Sequence, residues 1–455
     1  MSFFIRGNAV QEVTSKRKVP THSDEEISSD EDEELPHQNG NAAVSESEEE
    51  IPETAQEKKL RLAKTYLEEI ERQEQERQEA RELDHDAIGQ RLKEDVLEQA
   101  GKLRRFVADQ YVGNGEMIKL PSKEHKTPIT CLAISTDGQF LFSASKECSL
   151  IKWSLPEKRR IKGISGGRKG TEGRHKGHTS RINCIAFSSD NKFLATGDDN
   201  GVIHIWNPDT LELVNTFKKH SHAVTGLVFR KGTHQLFSCS SDRSVKIWSL
   251  DEMAYIETLF GHQSGVTAID ALTRERAVTA GGSDNSLRIW KVVEESQLIF
   301  NGHRGSIDCV RLINEEYFLS SGDDGMLCLW GAMKKKPLCV VEQAHGLNPE
   351  NNQPYWICSI ATLLNTDLVA SGSQDGQVRL WKCGEGFRTL TLLFCIPMVG
   401  FVNTMSFTPD GANLVLGVGQ EHRLGRWWRI KEARNCIFIV PLNQQDSTTV
   451  STVAN

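Results

Sequence analysis

The fold class predicted is all-β, a propeller of seven four-stranded blades, and three observations predict it. Tryptophans recur at Trp153, Trp206, Trp248, Trp290, Trp330, Trp381 and Trp428, with separations of 53, 42, 42, 40, 51 and 47 residues. Aspartate stands six positions before four of them, at Asp242, Asp284, Asp324 and Asp375, and Glu147 takes that place in the first unit. A histidine also precedes each of the first six units, at His125, His178, His220, His262, His303 and His345. A period of roughly 40–45 residues that opens on Gly-His and finishes on Trp marks a WD-repeat β-propeller. Seven such units close a ring, which disposes of most unpaired strand edges.

Each unit is justified by its own pattern. In the unit that ends at Trp290, residues 259–269 set a Gly-His turn before alternating apolar positions, and residues 276–290 read as strand, Asp-containing turn and strand. His262, a strand hydroxyl, Asp284 and Trp290 are expected to form one buried hydrogen-bonded set, because polar groups inside a packed sheet must be paired. The same holds for Asp242 with Trp248, Asp324 with Trp330, and Asp375 with Trp381. Recurrence at the blade period makes this a packing device and argues against metal or acid–base chemistry. In the last unit His422 replaces the aspartate and the tryptophan is doubled at Trp427–Trp428. Trp428 is expected there as the blade tryptophan. Two segments compete for the closing strand, residues 437–442 and residues 117–120.

The propeller is expected over residues 111–442, leaving three further segments. Residues 1–53 form an acidic tail expected to be disordered, residues 54–110 a helical extension, and residues 443–455 a disordered C-terminal tail. Residues 21–57 hold fourteen acidic residues and no Lys or Arg, too polar a run to offset the entropy of ordering. Ser28, Ser29, Ser45 and Ser47 are followed by acids and fit an acidophilic kinase; the bland alternative is a solvated tail. Lys16-Arg17-Lys18 is a short basic cluster of the nuclear-import kind, equally explained by chance. Thr54 and Glu57 make a capping box for a first helix with Leu60, Ala63, Leu67 and Ile70 on one face. A second helix is expected over residues 86–109, with Ile88, Leu92, Val96 and Leu103 in a narrow stripe that needs a surface to dock on.

No run of eighteen apolar residues and no signal-peptide core occurs, which predicts a soluble, non-secreted protein. Eleven scattered cysteines without a CxxC pair read as small buried hydrophobes in a reducing compartment, with no structural metal. No nucleophile–base pair, paired carboxylates outside the repeat, or cofactor loop is present, so the protein is expected to be no enzyme and to need no cofactor.

The net charge of −8 hides a partition. Residues 155–176 carry eight basic and two acidic residues, and residues 422–434 carry five basic residues and Glu432. The first segment accounts for a spacing about eleven residues longer than the common one. It holds Lys158, Arg159, Arg160, Lys162, Arg168, Lys169, Arg174 and Lys176, interleaved with glycines. Such a cationic strap suits phosphate contacts, and the alternative is an ordinary solvated insertion. The second segment offers Arg423, Arg426, Arg429, Lys431 and Arg434 beside aromatic rings, suited to stacking on bases or gripping phosphates. Pairing of these arginines with neighbouring acids is the structural alternative. Positive charge gathered in two places is a localised polyanion footprint.

Several blocks carry a more specific signal: residues 54–64 (TAQEKKLRLAK), 91–99 (RLKEDVLEQ), 230–236 (RKGTHQL), 302–310, 363–370 (LNTDLVA) and 417–435 (GVGQEHRLGRWWRIKEARN). Over residues 53–442 the chain resembles the U3-specific WD-repeat proteins of the U3 small nucleolar ribonucleoprotein. That resemblance implies a nuclear, nucleolar RNA-binding protein without catalytic activity. It implies binding to the B/C box element of U3 small nucleolar RNA beside the kink-turn-binding core protein of the box C/D particle. Among other small-subunit processome proteins, it would act in pre-rRNA processing for the small subunit.

Overall fold

The computed structural model describes residues 103–120, 125–168, 170–171 and 175–444, together with Arg61, Lys64, Leu67 and residues 92–94 and 96–97. The chain divides into two compact units, Met1–Leu83 and Asp84–Asn455. In the first, Arg61, Lys64 and Leu67 are helical and exposed. The acidic tract with its four serines and residues 445–455 lie outside the described residues.

In the second unit residues 92–94 and 96–97 are helical, but the helix expected to reach Asp109 ends before Leu103. From there the chain is extended apart from one 3-10 turn, Ala108–Gln110. Tertiary contacts override helix propensity here. The buried Asp367 carboxylate accepts the amides of Val107 and Ala108 at 2.8 and 3.0 Å. Arg105 bridges to Thr366, and Leu103 and Ala108 are buried. Arg104 lies 4.7 Å from the Tyr317 ring and pairs with Glu316 at 3.0 Å.

Six of the seven sheets are four consecutive antiparallel strands, spanning residues 129–164, 182–218, 224–260, 266–301, 307–341 and 359–397. Blade seven combines Phe401–Phe407, Asn413–Gly419 and Cys436–Gln444 with strands from the other end of the propeller. Both Tyr111–Asn114 and Ile118–Lys119 pair with Cys436–Gln444, in registers Tyr111↔Gln444 and Ile118↔Ile439. The two candidate closing segments are therefore partners: one is the third strand and the other lies outside it. Closure draws the third strand to Gln444, two residues beyond Leu442. Tyr111 is buried and its hydroxyl donates to the Gly411 carbonyl at 3.0 Å.

A hydrogen-bonded circuit joins the seven inner strands. Thr130 donates to the Ile182 carbonyl at 2.6 Å, Asn183 to Val224 at 3.2 Å, Thr225 to Val266 at 2.6 Å and Thr267 to Ile307 at 2.6 Å. Ser359 donates to Val402 at 2.8 Å, and Asn403 to Ile129 at 3.1 Å. In the fifth blade the equivalent position is Asp308, an acceptor when ionised, and the neighbouring Cys309 thiol points to the Cys358 carbonyl at 3.1 Å instead. Between blades the space is filled by apolar clusters, as where Phe217 stacks on Trp248 with centroids 4.5 Å apart.

All eleven cysteines are free, and eight are buried. Burial pushes the Cys131 and Cys239 thiols up to about 12, so they behave as apolar side chains. No described helix is long and apolar enough to cross a membrane.

Candidate nucleic-acid interface

The repeat histidines are buried, and in blades three to six each is hydrogen-bonded to the aspartate of its own repeat. His262 is hydrogen-bonded to Thr279 Oγ1 and to Asp284 Oδ2, both at 2.8 Å, and Trp290 Nε1 donates to the same hydroxyl at 2.8 Å. Equivalent sets join His220, Ser238, Asp242 and Trp248; His303, Ser320, Asp324 and Trp330; and His345, Ser371, Asp375 and Trp381. Burial would raise the Asp284 carboxyl, but the hydrogen bond and charge of His262 together with the Ser286 amide and hydroxyl outweigh it and hold the group down at about 2. In blade two the carboxylate comes from a position the six-residue spacing misses: Asp198 is hydrogen-bonded to His178 at 3.0 Å. Its signal is the run Asp198-Asp199-Asn200-Gly201, in which the acid moves back two residues onto the strand end. In blade one His125 Nδ1 reaches Ser149 Oγ at 3.2 Å, with Glu147 3.7 Å away.

Blade seven has no such set, and Trp428 is not its tryptophan. Val440 faces Leu414 in the ladder, where Trp248 faces Leu236 and Trp330 faces Phe318. The third strand begins only at Cys436, so residues 420–435 replace a tight turn. Trp427 and Trp428 are 59% and 46% exposed. His422 is fully buried and stacks on Trp356 with centroids 4.1 Å apart. Burial first, then the charges of Arg423, Lys146 and Arg181, push it down to about 3, leaving a neutral ring.

Interlocking bonds hold the base of this loop. Asn403 donates to the Glu421 carbonyl at 3.0 Å and accepts from the Arg423 amide at 2.9 Å. Arg181 donates to the Leu424 carbonyl at 2.9 Å, Lys146 to the Gly425 carbonyl at 3.3 Å, and Asn435 to the Lys126 carbonyl at 2.9 Å. Arg423 turns inward, away from any surface ligand. Its Nη2 reaches the Asp308 carbonyl across the channel at 3.1 Å, and it lines a cavity with Thr130, Arg181, Asn183 and Asp308. The Trp356 indole donates to the Asp308 carboxylate. Burial pushes that carboxyl up to about 7, against the pull of Arg423. Neither Asp308 nor Trp356 carried a sequence signal, because Asp308 sits where other blades place Thr, Asn or Ser and Trp356 falls outside the period.

The cationic strap of blade one divides in two. Residues Arg159–Ile164 are the outer strand, so Arg159, Arg160 and Lys162 run along the blade flank and Lys158 sits in the turn before it. Arg159 pairs with Glu157 at 2.6 Å, Lys162 donates to the Thr210 carbonyl at 2.5 Å, and Arg160 folds back over Gly163. The inserted residues are those between Ile164 and Ile182, and they include the exposed Arg168 and Lys176. Lys169 and Arg174 lie outside the described residues. Gly166 packs against the Glu147 carbonyl, in the turn whose Lys146 reaches Gly425. The insertion and the last-blade loop therefore flank one turn on one face of the ring. Arg426, Arg429, Lys431 and Arg434 are all exposed there.

Comparison with known proteins agrees with this architecture. The WD domain, G-beta repeat family model matches residues 118–154, 170–207, 211–249, 253–291, 294–331 and 348–382. The chain is 58% identical over 396 residues to U3 small nucleolar RNA-interacting protein 2 of Homo sapiens, covering 87% of this chain and 83% of the relative. The chain belongs to the U3 small nucleolar RNA-interacting protein 2 family. Within reach of this family is Ribosomal RNA-processing protein 9 of Saccharomyces cerevisiae, 27% identical over 92% of this chain and 95% of that one. The crystal structure of RRP9 WD40 repeats superposes with a TM-score of 0.70 at 53% identity, covering 73% of this chain and 99% of that chain. The family model leaves out the seventh blade, as expected of a repeat whose Trp, Asp and tight turn have all been replaced.

Proposed function

We propose that this protein is a non-catalytic, nucleolar RNA-binding component of the U3 small nucleolar ribonucleoprotein that acts in pre-rRNA processing for the small ribosomal subunit. In this reading it binds the B/C box element of U3 RNA beside the kink-turn-binding core protein and other processome proteins. The human relative's name supports the RNA, and the yeast relative's name supports the process. The observation that carries the reading is the convergence of two cationic segments about one turn of blade one. Phosphates would meet Arg168 and Lys176 in the insertion and Arg426, Arg429, Lys431 and Arg434 in the last-blade loop. Affinity would come from charge neutralisation, and specificity from the shape of a bent RNA and the adjoining protein.

The test is binding of the full chain to the folded B/C element across a salt series, with and without the kink-turn-binding protein. Neutralising Arg168 and Lys176 to Gln is expected to weaken binding and flatten the slope of log K against log salt by about 1–2. An unchanged slope would remove the insertion from the interface. Absence of RNA binding by the wild type, partner present, would sink the reading.

A further inference from the structure

The last-blade loop holds its base rigidly and its indoles in solvent. Residues 420–424 are fixed to Asn403, Arg181 and the blade-one turn, and Gln420 holds the returning strand through Asn435 and Ala433 at 2.9 and 2.8 Å. Glu421 and Arg429 form an isolated bridge, so residues 422–428 make a closed excursion. Within it the Trp427 ring lies 5.7 Å from both Trp356 and His422. Three aromatic rings thus step from the buried channel mouth to the surface. At Gly425 a Cβ would come within 2.9 Å of the Trp427 indole, so glycine is what lets that ring lie against the loop.

A large exposed aromatic surface beside concentrated positive charge identifies the kind of ligand. Arg426, Arg429, Lys431 and Arg434 are exposed on the same loop as the indoles, and Glu432 is its exposed acid. Arg426 spends one donor on Glu421 at 2.6 Å and Arg429 one on Gln420 at 3.0 Å, leaving each guanidinium further N–H groups for phosphate oxygens. Trp and Arg are also common at protein-docking patches; what favours nucleic acid is the excess of four cations, Lys431 among them, over one exposed acid beside aromatic faces, since base-stacking sites pair such faces with a cationic groove. We propose that residues 420–435 form a stacking platform for unpaired nucleobases: Trp427 and Trp428 take base faces while the flanking Arg and Lys side chains hold the adjoining phosphates. This rests on the RNA reading above and adds to it the single-stranded character of what the last blade contacts.

Full-length wild type, W427A/W428A, W427F/W428F and the Arg168/Lys176 variant would be titrated with oligo(A) and oligo(U) of about ten nucleotides and with a blunt RNA duplex of the same length. The double alanine variant is expected to lose at least about fivefold per indole on single strands, with little change on the duplex. Its salt slope and melting temperature should stay at the wild-type values, and the phenylalanine variant should recover most of the loss. Wild-type indole fluorescence should quench on binding single strands. Equal single-strand affinity of W427A/W428A and wild type would overturn the platform while leaving RNA binding standing. Equal losses on duplex and single strand would also overturn it, as would retained RNA binding with loss of the kink-turn-binding protein. If wild type binds neither nucleic acid, the RNA reading falls first.

Discussion

In blade five the Trp330 indole is fully buried and donates to Ser320 at 2.7 Å; in blade seven Val440 occupies the matching ladder position, and two indoles stand in solvent on a long loop. Both blades must seal a sheet against its neighbour. Blade five does so locally, with four side chains inside one repeat. Blade seven adds long-range ties: Asn403 holds the loop from within the blade, while Lys146, Arg181 and Arg423 tie it to blades one, two and five. Once distant residues secure the turn, a buried tryptophan is not needed for packing there, and the two indoles of the loop can stand in solvent.

The largest effect expected from this contrast is on stability. Trp330→Ala should cost about 3–5 kcal/mol, while Trp428→Ala should stay within about 0.5 kcal/mol, as read from urea midpoints at constant m. Comparable costs would mean that blade seven hides a packing role for its indole. Next comes Asp284→Ala, which strands His262 and should cost about 1–3 kcal/mol. With the folded carboxyl held at about 2, below the unfolded range near 4, its contribution is present above pH 4 and fades as pH falls through 2. The Ala variant should therefore approach wild type in an acid titration. The smallest effect concerns Asp308, raised to about 7. A raised carboxyl contributes most below its unfolded value and loses that contribution as pH rises through 7. Asp308→Asn should flatten the fall of stability between about pH 4 and 7, and an unaltered slope there would assign the titration to another group.

Legibility in the sequence followed locality. Within blades three to six, the histidine, hydroxyl, aspartate and tryptophan belong to one repeat, so the period points to the histidine, aspartate and tryptophan but does not say which hydroxyl joins them. Asp198 escaped because a hydrogen bond tolerates a two-residue shift that a fixed spacing does not. Trp428 was misplaced because a doubled tryptophan at nearly the right distance imitates the period, and nothing local shows that the strand starts at Cys436. The cationic strap was found by composition, yet its division into an outer strand and an insertion depends on the pairing of Arg159–Ile164 with Leu150–Ser154. Asp308, Trp356 and Arg423 meet only across the channel, from three distant parts of the chain, and no window of sequence contains them together.

The pairing of Tyr111–Asn114 with Cys436–Gln444 sets a timetable for the ribosome. The strand that completes blade seven is translated before any blade exists, and its partner is translated after all the others. Six blades can assemble as they emerge, while the outermost strand of the seventh waits for nearly the whole propeller to be made. During that interval the nascent chain presents an unpaired strand at its front, available to any edge it meets. A chaperone or assembly factor that shields residues 111–119 would act at the one point where this ring is open.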